Sequence, residues 1–275
     1  MTSQTATSTV AVDRDGVSGR LTAIYKYPIK GLSPQKLDRA EIVAGSGIPG
    51  DRRYALARPH GAYRPGLPHA VSKQEYFMLA RDARLAGLST TLASDGCSLT
   101  VKVREHVVFE ADLSVASGRR ATERFFGRVL GCDEPDMPVL AQEEGRRFTD
   151  ISVVSFDMME AVSLINLATV RALEEKWGAA VDPLRFRANL YIDLDRPFVE
   201  RDLLGVPIQV GPVRMTVVRV TKRCAATEVN PANAARDLPI PRLLVEHYGD
   251  AIMGVYAKID AGGTLEPGQL VRVGE

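Results

Sequence analysis

The sequence predicts a β-rich α+β fold, with strands closing or partly closing into a barrel and only a few helices. Three observations carry this. Short runs rich in β-branched and aromatic residues recur along the chain, bounded by Gly, Pro, Asn and Asp. Helical spacing is confined to three stretches. Strands and helices do not alternate as βαβα, so a doubly wound parallel sheet is not expected.

Taken in order, "LTAIYKYP" (Leu21–Pro28), "LDRAEIVAG" (Leu37–Gly45) and "RRYALAR" (Arg52–Arg58) read as strands. "GAYRPGLPHAVSK" is rich in Gly and Pro and reads as a loop. "GLSTTLASDGCSLTVKVREHVVFEADL" carries an Asp-Gly turn between two alternating runs, a hairpin signal, with a further strand around Val107. "RRATERFFGRVLG" (Arg119–Gly131) has helical spacing and ends at a glycine. "DEPDMP" follows as a linker, and Val153–Val154 reads as a short apolar strand. Ser155–Gly178 is the clearest helical stretch, with Ser155 placed as an N-cap, Gly178 at the far end and a break near Asn166. Strands return in "FRANLYIDL" (Phe186–Leu194), "PIQVG", "VRMTVVRV" and "GVYAKI". A short helix, Ile240–Gly249, lies before the last of these, and a turn and strand close the chain.

Composition excludes several classes. The 275 residues are 45 % hydrophobic and 25 % charged, an ordinary soluble globular balance. A net charge of +1 argues against a broad nucleic-acid surface but leaves room for a small anion pocket. No apolar run approaches the about 20 residues of a membrane span. The polar first residues have no apolar secretory core; residues 1–17 are expected as a disordered tail and the protein as cytoplasmic. The three cysteines, Cys97, Cys132 and Cys224, form no C-x-x-C, so an iron–sulfur cluster or zinc ribbon has no ligand set. A sparse, odd count fits a reducing compartment.

His60 and His69 flank a loop without the spacing of a ligand pair, and no H-E-x-x-H, G-x-S-x-G, P-loop or dinucleotide-binding turn occurs. Cys224 ends a β-branched run directly after Lys222 and Arg223. Cationic neighbours favour thiolate, the form that a soft metal centre or a nucleophilic mechanism needs. A small buried hydrophobe is the alternative. Lys30, Arg52, Arg53, Arg185 and Arg187 stand at the ends of strands and turns, where sites are built and where arginine suits phosphate or carboxylate. Solvated surface charge is the alternative for each.

Five segments together resemble one family. "YKYPIKGL" (Tyr25–Leu32) resembles Y-x-Y-P-I-K-S, and "GDRRYALA" (Gly50–Ala57) resembles G-D-R-x-[YFW]. "RFRANLYID" resembles R-F-R-P-N-[LIV], "TKRCAATEVNP" resembles [ST]-x-R-C-x-x-T-x-V-[DN]-P, and Met253–Val273 resembles the closing G-x-Y-x-x-V…G-x-[IL]-x-x-G-D-x-V. These are the motifs of MOSC proteins, in order from about Leu21 to Val273. The two-part layout resembles the mitochondrial amidoxime-reducing component and its bacterial relatives.

The resemblance implies a MOSC-type β-barrel over 119–275, preceded by a smaller MOSC N-terminal β-barrel-like domain over 18–118. It implies a molybdenum cofactor (Mo-molybdopterin) with Cys224 as the metal ligand and the pterin dithiolene supplying two further sulfurs. Lys30, Arg52 and Arg187 would hold the pterin phosphate and its surroundings, and Asn189 would hydrogen-bond the pterin. Thr149 and Asp150 would line the site, with Asp150 handling protons, and Ser155 would donate from a helix N-terminus. Four positions depart from the motifs: Gly31 for Ser, Ala188 for Pro, Lys222 for Ser and Gln269 for Asp.

The implied activity is an oxidoreductase reducing N-hydroxylated compounds such as amidoximes, hydroxylamines and N-hydroxylated bases. Electrons would come from a separate partner, a ferredoxin, a cytochrome b5-like protein or a flavin reductase. Two alternatives stay open: a carrier of the cofactor or its sulfur, and a metal-free enzyme using Cys224 and an anion pocket, for example in carbon–sulfur chemistry.

Overall fold

A computed structural model describes residues 16–274. In chain order the first part holds β1 (Ser18–Lys26), β2 (Gln35–Leu37), β3 (Ala40–Ile42), β4 (Tyr54–Ala57), β5 (Ser89–Leu92), β6 (Ser98–Val103) and β7 (His106–Asp112). Then come α1 (Ala116–Leu130), β8 (Val139–Gln142), β9 (Val162–Asn166), α2 (Leu167–Trp177) and β10 (Leu190–Leu194). The last part holds β11 (Pro207–Val210), β12 (Val213–Lys222), α3 (Ile240–Tyr248), β13 (Ile252–Ala261), β14 (Gly263–Leu265) and β15 (Leu270–Val273).

Seven strands close a barrel in the order β1-β10-β9-β13-β12-β11-β15 and back to β1, with β2 added on β1. Closure removes the open sheet edges that would otherwise invite pairing with another chain. Every pair in the ring is antiparallel except β9–β10. A parallel pair needs a crossover connection, and α2 supplies it. Residues of alternating inward position, among them Leu21, Leu164, Ile192, Met215, Val217 and Val255, fill the interior. The α2 and α3 helices cover the outside, where Leu173, Leu244 and Met253 share a second cluster.

The smaller body carries the three-stranded sheet β5-β6-β7, the β4–β8 ladder and α1. Its core includes Ile29, Leu56, Leu85, Leu99 and Phe126. Asp95-Gly96 makes the expected β5–β6 hairpin turn, with Gly96 at φ 73°. Helix α1 ends at Gly131 in the left-handed region, as expected.

The two bodies are not consecutive stretches of chain. β1 lies in the barrel, whereas α1 packs on β7 and β8, and β8 pairs with β4. The expected division between 118 and 119 therefore falls inside α1. The tail expected over 1–17 lies outside the described residues up to 15, but Val17 is only 1 % exposed and belongs to the barrel core.

The largest correction concerns 155–178. The segment is a 3-10 turn (Phe156–Glu160), then β9, then α2. All five residues of β9 are buried between β10 and β13. A continuous apolar run gives no periodicity to separate a buried strand from a helix. The expected break near Asn166 is the true helix start: its Oδ1 accepts from Ala168 N at 3.1 Å. Val153 closes another 3-10 turn (Asp150–Val153) and, like Val154, is exposed rather than in a strand. Among the described residues no helix is long and apolar enough to cross a membrane.

Near α2, Glu200 is 1 % exposed. Its carboxylate accepts from Thr169 Oγ1 at 2.8 Å and Asn166 Nδ2 at 3.1 Å. Burial pushes the Glu200 carboxyl up, and these donors offset only part of that. A raised carboxyl favours the protonated native state, so its contribution is complete at acid pH and declines as pH rises through the native value. Glu200→Gln should flatten that decline, read as thermal unfolding from pH 4 to pH 9. Parallel profiles for variant and wild type would refute it.

Candidate active site

The cavity between the barrel and the smaller body has a volume of about 290 Å³. Eight Lys and Arg side chains line it against one carboxylate, Asp150. Such an imbalance in a cleft focuses positive potential on a bound anion.

Cys224 enters from β12. It precedes the 3-10 turn Ala225–Glu228, and its carbonyl accepts from Thr227 N at 3.0 Å and Thr227 Oγ1 at 2.9 Å. The thiol therefore stands on a fixed loop at a strand end. Lys73 Nζ donates to Cys224 Sγ at 3.5 Å and lies 3.7 Å from Asp150 Oδ2. Lys30 takes the other Asp150 oxygen and donates to Phe148 O at 3.0 Å. The carboxylate is thus bridged by two ammonium groups, one from each side. Desolvation works to raise the Asp150 carboxyl, but Lys30 and Lys73 outweigh it and hold it well below the usual carboxylate range. Burial pushes the Lys30 ammonium down despite Asp150.

Arg52 and Arg187 line the cavity on the Tyr27 ring. Their guanidinium carbons lie 4.6 and 4.4 Å from the centre of the Tyr27 ring. Both residues have positive φ, 48° and 52°, a conformation uncommon without glycine. Such strain collects where geometry is held for function. Arg52 pairs with Asp51 at 2.5 Å and donates to Arg187 O at 3.0 Å, whereas among the described residues the Arg187 guanidinium has no acceptor and lies against the Tyr27 ring. Arg223 donates to Met253 O and Phe186 O, leaving its Nη2 buried and unpartnered. The hydroxyls of Thr149 and Thr221 also line the cavity, buried and unpartnered.

Seven of the eight site residues drawn from the sequence line this one cavity: Lys30, Arg52, Thr149, Asp150, Arg187, Asn189 and Cys224. Ser155 does not. It is exposed, and it precedes only a five-residue 3-10 turn to which it makes no side-chain cap. The role expected of it rested on a helix beginning there. Asn189 is largely engaged within the barrel. Its Oδ1 accepts from Ser163 N and Oγ, and its Nδ2 donates to Tyr25 O at 3.2 Å, leaving one N–H for a ligand.

Among the polar lining residues that the sequence did not single out as site residues are Lys73, Arg219, Thr221, Arg223 and Tyr256. Lys73 closes a Gly/Pro-rich loop and meets Cys224 only through the fold. Arg223 was visible as the neighbour of Cys224.

Three of the four departures from the motifs have local causes, and nothing in the structure explains Lys222. Gly31 has φ 81°, and a Cβ there would meet Phe77 O at 2.9 Å, so serine does not fit. Ala188 N–H donates to Tyr191 Oη at 3.2 Å, a bond proline cannot make. Gln269 spans its turn, accepting from Glu266 N and donating to Thr264 O.

Fold and site define a closed-barrel protein with a strongly cationic cavity and a single thiol at its edge. The MOSC domain model matches residues 152–274 and the MOSC N-terminal beta barrel domain model matches 18–137. The chain belongs to the MOSC family, with both domains, as its motifs led one to expect. No curated protein matches it. Two crystal structures are similar to it. YiiM from Geobacillus stearothermophilus is 17 % identical with a TM-score of 0.33, over 42 % of this chain and 54 % of that one, so the match spans about half of its length. The YUAD protein from Bacillus subtilis is 11 % identical with a TM-score of 0.40, over 93 % of this chain and 95 % of that one.

Proposed function

We propose that this protein is a molybdenum-cofactor-dependent reductase of N-hydroxylated compounds, supplied with electrons by a separate redox protein. The supporting observation is the donor set. Among the described residues no cluster of three or more His, Cys, Asp or Glu could hold a metal. One thiol stands in a cavity lined by eight cationic side chains against the single carboxylate of Asp150, with Thr149 Oγ1, Thr221 Oγ1 and Arg223 Nη2 buried and unpartnered. A bare metal ion does not fit such a site. An anionic group that brings its own sulfur ligands and many hydrogen-bond acceptors does.

In this reading Cys224 ligates the metal. Arg187, Arg223 and Lys30 neutralise the anionic cofactor, and the two threonines and the free Asn189 N–H donate to it. The cofactor supplies two-electron chemistry. Overall, an N–OH compound, two electrons and two protons give the N–H compound and water. Asp150, held ionised, has no proton to give at neutral pH and acts as a fixed anion or proton acceptor. Lys73 orients against both Asp150 and the thiol.

The test is molybdenum content of protein from a cofactor-competent host, wild type beside Cys224→Ser. Near-stoichiometric metal in the wild type should fall more than about tenfold in the variant, since serine loses the soft ligand. The loaded wild type should reduce benzamidoxime with a reduced viologen as artificial donor. Absence of metal from both proteins would sink the reading, and bound metal without turnover would make the protein a carrier.

A further inference from the structure

Five of the eight cavity cations are committed to acceptors within the protein. Lys30 and Lys73 hold Asp150, Arg52 holds Asp51, Arg185 holds Asp237, and Arg223 holds two carbonyls. Arg187 lies against Tyr27. Arg219 and Lys222 remain. They line the cavity, they are exposed, and among the described residues neither has an acceptor or ion-pair partner.

Residues three apart on a regular strand point to opposite faces. Arg219 and Lys222 nevertheless reach one cavity, and the strand itself shows why. The β12–β13 register shifts between Val217 and Arg219 and again between Val220 and Lys222. Such irregularities re-aim side chains and are common beside active sites. Here they bring two uncommitted cations to the mouth, on the strand that runs into Cys224.

The cavity volume of about 290 Å³ is at the lower edge of the range for one small-molecule site. A cofactor in its interior leaves a substrate to be recognised at the rim. We propose that Arg219 and Lys222 form an anion subsite selecting N-hydroxylated substrates that carry a carboxylate or phosphate remote from the N–OH group. This rests on the reductase reading for the N–OH chemistry, though not for the anion binding.

The experiment pairs neutral and charged substrates on the metal-loaded protein. Benzamidoxime is set against 4-carboxybenzamidoxime, and an N-hydroxylated nucleoside against its 5′-monophosphate. The charged member of at least one pair should have a kcat/KM higher by about tenfold at low ionic strength, shrinking toward parity at about 0.5 M salt. Which pair shows the gain separates carboxylate from phosphate recognition. In the Arg219→Glu/Lys222→Glu protein the ratio should invert. A ratio near one in both pairs, or a ratio that survives the double charge reversal, overturns the proposal.

Calorimetric affinities for the same pairs give a second readout. If neither substrate is reduced, the reductase reading fails. A charged-over-neutral preference in binding that the reversal abolishes would still uphold the anion subsite, and its absence would overturn it.

Discussion

Gly254→Ala should destabilise the barrel and disturb the cavity together. Gly254 lies in β13 at φ 75°, where an L side chain is strained. A Cβ there would sit 2.5 Å from Leu164 O, 2.7 Å from Ile165 Cδ1 and 2.8 Å from Arg223 Nη2. The first is backbone of the neighbouring strand and cannot turn aside. Strain and clash together should cost about 3 kcal/mol or more, a fall in Tm of roughly 6–12 °C for a chain of this size. Gly45→Ala is the control. It has the same φ of 75° and nothing within 4 Å, so it carries the strain without the clash. Its cost should be about 1 kcal/mol. Equal losses in the two variants would show that contact with β9 and Arg223 is not what reserves position 254 for glycine. If the protein binds molybdenum cofactor as proposed, the displaced Arg223 should also weaken retention of molybdenum in Gly254→Ala and leave it intact in Gly45→Ala.

Gly254 also illustrates what the sequence could and could not disclose. The segment "GVYAKI" reads as a strand from its β-branched and aromatic residues, and β13 is there. Nothing local says that its first glycine touches an arginine beside the thiol. Elements whose signal is local were legible: the Asp95-Gly96 hairpin, α1 with Gly131, and α3 with Gly249. Elements defined by partners were not. β9 is a strand because β10 and β13 flank it, and its apolar run reads equally well as the first turns of α2. The site divides the same way. Lys30, Arg52, Arg187, Asn189 and Cys224 were found through motifs, and all five line the cavity. Lys73 lies 151 residues from Cys224 in sequence and was found only by contact. Ser155 was placed by a helix start that the fold puts eleven residues later, at Asn166.

Asp150→Asn should leave Lys30 stranded, and the stability loss should vanish in acid. Lys30 is 6 % exposed, and its ammonium has two acceptors, Phe148 O and Asp150. Asparagine keeps an oxygen but removes the charge. Breaking a fully buried pair costs several kcal/mol, but the Asp150 side chain is 47 % exposed to cavity water, which discounts the loss to about 1–2 kcal/mol. The sign of the pH dependence follows from the depressed Asp150 carboxyl. Its contribution is complete above the unfolded carboxylate pKa of about 4 and is lost as pH falls through the lower native value. The gap between wild type and Asp150→Asn should therefore hold from neutral pH to about pH 4 and close below it. Lys30→Met removes the ion instead of stranding it and should cost less. Because the two groups act as one pair, Lys30→Met/Asp150→Asn should be about as stable as Lys30→Met alone, and additive losses would refute the pairing. Anion affinity should move in opposite directions in the single variants, up in Asp150→Asn, where the one carboxylate of the cavity is gone, and down in Lys30→Met. Stability and anion affinity are then set by the same ion pair, which is the physical reason a buried lysine and a carboxylate share a cavity that otherwise selects for negative charge.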